Sequence, residues 1–355
     1  MPRGVLAGCM LAAAALLQGC TPEGPAPLPG LGAKLDETTV SGISSGAYMA
    51  GQFQLAHASL VKGAAIIAGG PYGCAESVFA GMMPGPGAAF LNSAKAVSGC
   101  MQNAMMIWGV PSPDALAGKA RRLAEDGRID PIDAVTTDQV YLFTGSEDRT
   151  VVPPIVRSAY EFYVKLGVPP ERIRLVEDMP AGHAFVTEDE GGSCDVSGKP
   201  YIVDCDYDQA GALLSHVYGR LEPRSEAPRG RLVTFDQRPY TAHLGDHGLS
   251  EDGFVYVPAS CAAGSGCRVH IAFHGCAQNR GAVGDAFARE TGFQRWADTN
   301  RLIVLFPQTL ASAINPQACW DWWGYTGRDY LTREAPQIVA VRRMLARLGE
   351  ARPPS

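Results

Sequence analysis

Gly42-Ile43-Ser44-Ser45-Gly46 is a G-x-S-x-G pentapeptide lying between Thr38 to Ile43 (TTVSGI) and Ala47 to Leu60 (AYMAGQFQLAHASL). The first flank is β-branched and apolar, the pattern of a short strand. The second is the helix that follows it. A sharp turn between the two lifts the Ser44 hydroxyl clear of the sheet, and the small residues on either side let backbones approach closely. The helix N-terminus favours negative charge developing beside it. Ser44 is therefore a candidate nucleophile, and the Ser45 N–H a candidate donor to an oxyanion.

Outward from this turn, short apolar runs alternate with helix-like stretches. Gly63 to Ala68 (GAAIIA), Gln139 to Thr144 (QVYLFT), Arg172 to Glu177 (RIRLVE), Arg268 to Phe273 (RVHIAF) and Leu302 to Phe306 (LIVLF) read as strands. Ser112 to Asp126, Pro153 to Leu166, Gly284 to Thr299 and Glu334 to Gly349 read as helices. That alternation predicts an α/β fold with a mostly parallel central sheet flanked by helices. The polar, Pro-containing stretch Glu222 to Gly230 is a candidate linker. Strands continue on both sides of it, so a nucleophile half (34–221) and a second half (231–350) sharing one sheet within a single domain (34–355) are expected.

A Ser hydroxyl is a weak nucleophile without a base. QVYLFT is followed by Gly145-Ser146-Glu147-Asp148, and RIRLVE by Met179-Pro180-Ala181-Gly182-His183. Loops at the carboxyl ends of parallel strands converge. Asp148 and His183 are thus candidates to orient and to act as general base, in the order Ser, acid, His. Glu147 is the neighbouring alternative acid. His57 and His216 fall within helical stretches, and His243 and His247 in a loop with no clear strand before it. A second oxyanion donor usually comes from a loop bearing His-Gly, and that pair occurs late, in Phe273-His274-Gly275-Cys276. In an unpermuted hydrolase of this kind the His-Gly strand precedes the nucleophile. Here it follows the His, so the order is that of a circularly permuted α/β-hydrolase.

Composition narrows the functional classes. The chain has 355 residues, a formal net charge of −6, 46% apolar residues and 19% charged residues. It is too apolar for a disordered chain and not basic enough to grip nucleic acid broadly. Residues 1–19 carry a basic Arg3 and the apolar run Val5 to Leu17, the pattern of a signal peptide. The run ends in Leu17-Gln18-Gly19-Cys20, which resembles the lipobox of bacterial lipoproteins, with Cys20 as the lipidated residue. A Pro/Gly-rich tether (20–33) would follow, and membrane contact would be made only through that anchor. Beyond the leader, Cys74, Cys100, Cys194, Cys205, Cys261, Cys267, Cys276 and Cys319 form an even set. In an exported chain such a set reads as disulfides, although eight Cys allow roughly a hundred pairings. The short intervals favour Cys74–Cys100, Cys194–Cys205, Cys261–Cys267 and Cys276–Cys319. No Cys-x-x-Cys pair and no suitably spaced His point to a metal.

GISSG, LFTGSEDRTV, MPAGHAF, FHGCAQN and CWDWWGY, in this order, resemble the poly(3-hydroxybutyrate) depolymerase family in its circularly permuted branch. The resemblance runs from about Asp36 to about Gly349. It implies a disulfide-stapled serine esterase with Ser44, Asp148 and His183 as its triad and N–H donors from Ser45 and Cys276. The implied substrate is a polyester or its oligomers, with no cofactor. Many secreted members carry a separate polymer-binding domain, and none is expected in this chain. In Cys319-Trp320-Asp321-Trp322-Trp323-Gly324-Tyr325, Trp322 and Trp323 are candidates for an apolar wall of the cleft, and Met82 and Met83 for its rim. Export to the periplasm or cell surface, the outer membrane above all, is the expected location, with release into the medium as the alternative. The competing functional readings are an exported carboxylesterase for another ester and a non-catalytic lipoprotein that binds a hydrophobic ligand.

Overall fold

A computed structural model describes residues 24–77, 86–102, 111–264 and 266–352. Cys20, Met82 and Met83 lie outside the described residues. The strands are β1 Lys34–Ile43, β2 Val61–Ile67, β3 Gln139–Phe143, β4 Ile173–Val176, β5 Phe185–Thr187, β6 Gly192–Ser193, β7 Ile202–Asp204, β8 Arg231–Asp236, β9 Asp252–Val257, β10 Arg268–Phe273 and β11 Leu302–Phe306. Eight of them form one sheet in the order β4-β3-β2-β1-β10-β11-β9-β8. Pairing is parallel from β4 to β11 and antiparallel for β9 and β8. β5, β7 and β6 make a small separate sheet.

The continuous apolar runs are explained by burial on both faces. Successive side chains alternate across a strand, so each run divides between two cores. Ala64, Ile66, Val140, Leu142, Ile271, Phe273, Ile303 and Leu305 face one core. Ala65, Ile67, Tyr141, Phe143, Ala272, Leu302, Val304 and Phe306 face the other. The first core is covered by α1 Ser45–Ala56, α3 Pro113–Glu125, α4 Pro153–Leu166 and the final helix Pro336–Gly349, with α2 Pro86–Cys100 outside it. The second is covered by α5 Gln209–Tyr218 and by Ala286–Glu290 and Phe293–Thr299.

Several expectations are corrected. The helix expected over Gly284 to Thr299 is broken at Gly292, whose φ of 80° belongs to the left-handed region. β8 and β9 were not anticipated; β8 is the edge strand and is mostly half-exposed, and the buried apolar run of β9, Phe254 to Val257, is only four residues long. Strands from both sides of Glu222 to Gly230 share the eight-stranded sheet, and the stretch itself is pinned to the body. The N–H groups of Arg229 and Gly230 donate to Asp298, and Arg295 pairs with Asp189 and Glu226. The described part of the 20–33 segment is seated on the body: Leu28 is fully buried and Leu31 nearly so.

That seating marks where an unpermuted chain would continue. The N–H groups of Leu31 and Ala33 donate to the Leu348 carbonyl at 3.1 and 3.0 Å, and Gly32 N–H donates to Glu350 O at 2.8 Å. The end of the last helix thus meets the approach to β1, joined by hydrogen bonds where a peptide link would otherwise run. Leu28→Ala is expected to cost about 2–4 kcal/mol, because it opens a cavity in a fully packed site. Urea unfolding checks this, and a loss below about 0.5 kcal/mol would mean that the segment is not docked in solution.

Four disulfides close Cys74–Cys100, Cys194–Cys205, Cys261–Cys267 and Cys276–Cys319, the neighbour pairs expected from the short intervals. Among the described residues no helix is long and apolar enough to cross a membrane.

Candidate active site

β1 lies at the centre of the sheet, and its carboxyl end turns sharply into α1. Ser44 sits on that turn with φ 57° and ψ −122°, a conformation that non-glycine residues rarely adopt. The tightness of the turn dictates its flanks. A Cβ on Gly42 would stand 2.1 Å from Gly46 O, and one on Gly46 would stand 2.3 Å from Phe273 O. Both positions therefore exclude any side chain, and this is the steric content of the pentapeptide.

Asp148 follows β3, and His183 follows β4. Asp148 Oδ2 and His183 Nδ1 are 2.7 Å apart, with the carboxylate side chain fully buried. The other carboxylate oxygen accepts from the N–H groups of Thr150 and Val151 at 2.8 and 2.9 Å, so both oxygens are committed. The two loops are tied to each other by Ser146 N–H to Met179 O and Glu147 N–H to Ala181 O. His183 N–H donates to Ser197 Oγ at 2.7 Å. Glu147 is exposed and faces Arg149, so it is not the partner of His183. His57, His216, His243 and His247 all lie on other elements.

β10 pairs with β1 and delivers the His274-Gly275-Cys276 loop beside Ser44. A Cβ on Gly275 would come within 3.4 Å of Ser44 Cβ. Gly275 N–H donates to Gln278 Oε1, and Gln278 Nε2 donates to the carbonyls of Pro200 and Tyr201, linking this loop to the one beyond His183. Cys276 is bridged to Cys319, and Trp320 N–H, next along, donates to Ser45 Oγ at 3.3 Å. Gln278 and Asp321 were given no role from sequence. Asp321 accepts from the N–H groups of Gly324, Tyr325 and Thr326 and shapes the tryptophan turn. No pattern in the sequence announces such a buried clamp.

The tryptophans divide. Trp320 is core, edge-on to Phe273. Trp322 is buried and stacked on Tyr48 at 4.1 Å. Trp323 packs edge-on to Trp322 and lines a cavity of about 600 Å³ shared with Phe90, Asn92, Ile314 and Tyr325. Among the described residues no cluster of His, Cys, Asp and Glu is arranged to hold a metal ion.

Two histidines on β10 and its loop are wholly buried. His270 bonds Thr39 and Ser41 of the nucleophile strand at 2.8 and 2.7 Å, and burial lowers its pKa to about 3. Burial lowers that of His274 to about 4. In the unfolded chain both take up a proton as pH falls through about 6.5. The folded protein does so only near the lower values, so the unfolded state binds more protons in between and stability falls with falling pH. Each histidine is expected to remove about 1 kcal/mol per pH unit across pH 6 to 4.5. Denaturant titrations at several pH values measure the slope; a flat profile would show these imidazoles charged in the fold.

No family model matches the chain. It is 38% identical over 327 residues to a poly(3-hydroxybutyrate) depolymerase of Delftia acidovorans; the match covers 91% of this chain and 61% of that protein. It is 32% identical over 344 residues to a polyhydroxybutyrate depolymerase of Talaromyces funiculosus, covering 92% of this chain and 91% of the relative. Among solved structures, the PHB depolymerase from Penicillium funiculosum superposes with a TM-score of 0.79 at 30% identity, covering 92% of this chain and all of that one. A PHB depolymerase complexed with an R3HB trimer superposes equally well. With an identity above 30% sustained over nine-tenths of both partners, the chain belongs to the poly(3-hydroxybutyrate) depolymerase family.

Proposed function

We propose that this chain is a serine esterase that hydrolyses poly(3-hydroxybutyrate) or its oligomers through an acyl-Ser44 intermediate. The observation that carries the reading is the buried 2.7 Å Asp148–His183 pair, set at the sheet edge where the Ser44 turn opens. With Nδ1–H donating to Asp148, Nε2 of His183 is left as the base. It takes the Ser44 proton as Oγ attacks the ester carbonyl, then passes that proton to the departing alcohol. Water, deprotonated by the same nitrogen, attacks the acyl-enzyme and releases the hydroxy acid, with Ser44 reprotonated. The N–H groups of Ser45 and Cys276 receive the negative oxygen in each tetrahedral intermediate. No cofactor takes part in this scheme.

Trp323 supplies an apolar wall, with Trp322 holding its ring from behind. Phe90, Ile314, Leu310 and Val196 are 74, 60, 53 and 47% exposed. Val196 adjoins the Ser197 that bonds His183, Leu310 follows the Thr309 that touches His274, and Phe90 and Ile314 share the Trp323 cavity. An apolar rim of this kind suits a polyester surface rather than a small polar ester. Four disulfides fit folding in an oxidising, exported compartment. Lipidation at Cys20 would hold the enzyme on a membrane, and mass spectrometry of the mature N-terminus tests it.

The deciding experiment offers amorphous polymer film, hydroxybutyrate oligomers and p-nitrophenyl esters side by side, with products identified by mass spectrometry. Release of hydroxybutyrate or its short oligomers supports the reading. Turnover of p-nitrophenyl esters alone would overturn the polyester assignment in favour of an esterase for another substrate.

A further inference from the structure

The loop that carries Cys276 is held by a group that neither attacks nor stabilises substrate. Gly275 C=O and Cys276 N–H belong to one peptide unit. That unit is planar and trans, so the two bonds point in opposite directions and fixing one fixes the other. His274 Nδ1 lies 2.7 Å from Gly275 O. Its Nε2 receives the N–H of Thr309 at 3.3 Å. Gly275 O can only accept, so the proton sits on Nδ1 and the ring donates to it, which leaves Nε2 to accept from Thr309 N–H with Thr309 Oγ1 also 3.2 Å away. Thr309 is itself fully buried, with each of its polar atoms committed to this region. Its Oγ1 donates to Ala318 O at 2.5 Å, next to the Cys319 that bridges to Cys276, and its carbonyl accepts from Asn279 Nδ2 at 3.1 Å.

We propose that His274, kept as the Nδ1–H tautomer by Thr309, is a positioning residue that aims the Cys276 N–H at the oxyanion by anchoring the other end of the same peptide. The inference rests on the serine-esterase reading. Without the anchor, the Gly275–Cys276 peptide is free to rotate, and rotation would present a carbonyl oxygen to the developing negative charge. Burial supports the assignment, because it holds the imidazole neutral well below neutral pH.

The test measures kcat and KM on a soluble hydroxybutyrate trimer and on p-nitrophenyl butyrate, with active sites counted by organophosphonate labelling of Ser44. His274→Leu is expected to lower kcat by about 100-fold, the order seen when an oxyanion donor is lost, with KM changed less than about 3-fold. His274→Asn places an amide N–H close to the Nδ1 position and is expected to recover kcat to within about 10-fold of wild type. A folded His274→Leu with wild-type kcat, a loss confined to KM, or an Asn variant as impaired as Leu would each overturn the proposal. Should the Leu variant fail to fold by circular dichroism, His274→Gln decides against His274→Asn, because its amide N–H falls near the Nε2 position and not near Nδ1. A kcat about 10-fold or more below that of the Asn variant at similar KM supports the proposal, whereas a Gln variant as active as the Asn variant refutes it. If the wild-type protein shows no Ser44 labelling, it is the esterase reading that fails, and these variants are not what reveals it.

Discussion

Ser44→Ala is expected to lower kcat on hydroxybutyrate oligomers by about 10⁵–10⁶-fold, while the protein folds as before and still binds the oligomer. The size of the effect follows from the chemistry. With no Oγ there is no acyl intermediate, and the residual rate is whatever oriented water and oxyanion donors supply. Binding is expected to survive because Ser44 is only 8% exposed and contributes little contact area. The turn is also expected to survive: its conformation is enforced by the packing of Gly42 on Gly46 and of Gly46 on Phe273, none of which involves the hydroxyl. Calorimetry with the trimer and a stopped assay on the same preparation separate the two effects. Retention of more than about 1% of kcat would place the hydrolytic step on another residue.

Asp148→Asn is expected to reduce kcat by about 10⁴-fold with little change in stability. The direction can be worked out from the hydrogen bonds. Oδ1 of residue 148 is claimed by the N–H groups of Thr150 and Val151, so an asparagine keeps its carbonyl oxygen there and turns its NH₂ toward His183. The imidazole then has to accept at Nδ1 and carry its proton on Nε2, where the base is needed. The substitution therefore leaves the site in shape and blocks its base. Glu147→Gln, one residue away on the surface, is expected to stay within 2-fold, roughly the scatter of a neutral surface change. If the two variants behaved alike, Asp148 would be a turn former rather than the partner of His183.

The strands that matter most were readable because they are buried on both faces. Such strands are apolar without interruption, so GAAIIA, QVYLFT, RVHIAF and LIVLF stand out, and the carboxyl ends of TTVSGI, QVYLFT, RIRLVE and RVHIAF mark where Ser44, Asp148, His183 and Cys276 emerge. β8 escaped because an edge strand mixes buried and exposed residues, β9 because its apolar run spans only four residues, and the short strands β5 to β7 because they are too brief to show a period. The seating of residues 26–33 was missed for a related reason. A Pro/Gly-rich stretch has no periodicity, and Leu28 and Leu31 say nothing by themselves about the helix end they meet.

Sequence by itself determined the class of fold, the permuted order, the disulfide partners suggested by short intervals, and the triad candidates, since each is written in local pattern and chain order. Only the tertiary structure decided which carboxylate faces His183, which tryptophan reaches open space, and how Thr309, Gln278 and Asp321 brace the loops around the site. The physical reason is range. Periodicity and turn chemistry act over a few residues, whereas a buried hydrogen bond such as Thr309 to His274 joins groups 35 positions apart and leaves no mark on the sequence near either one.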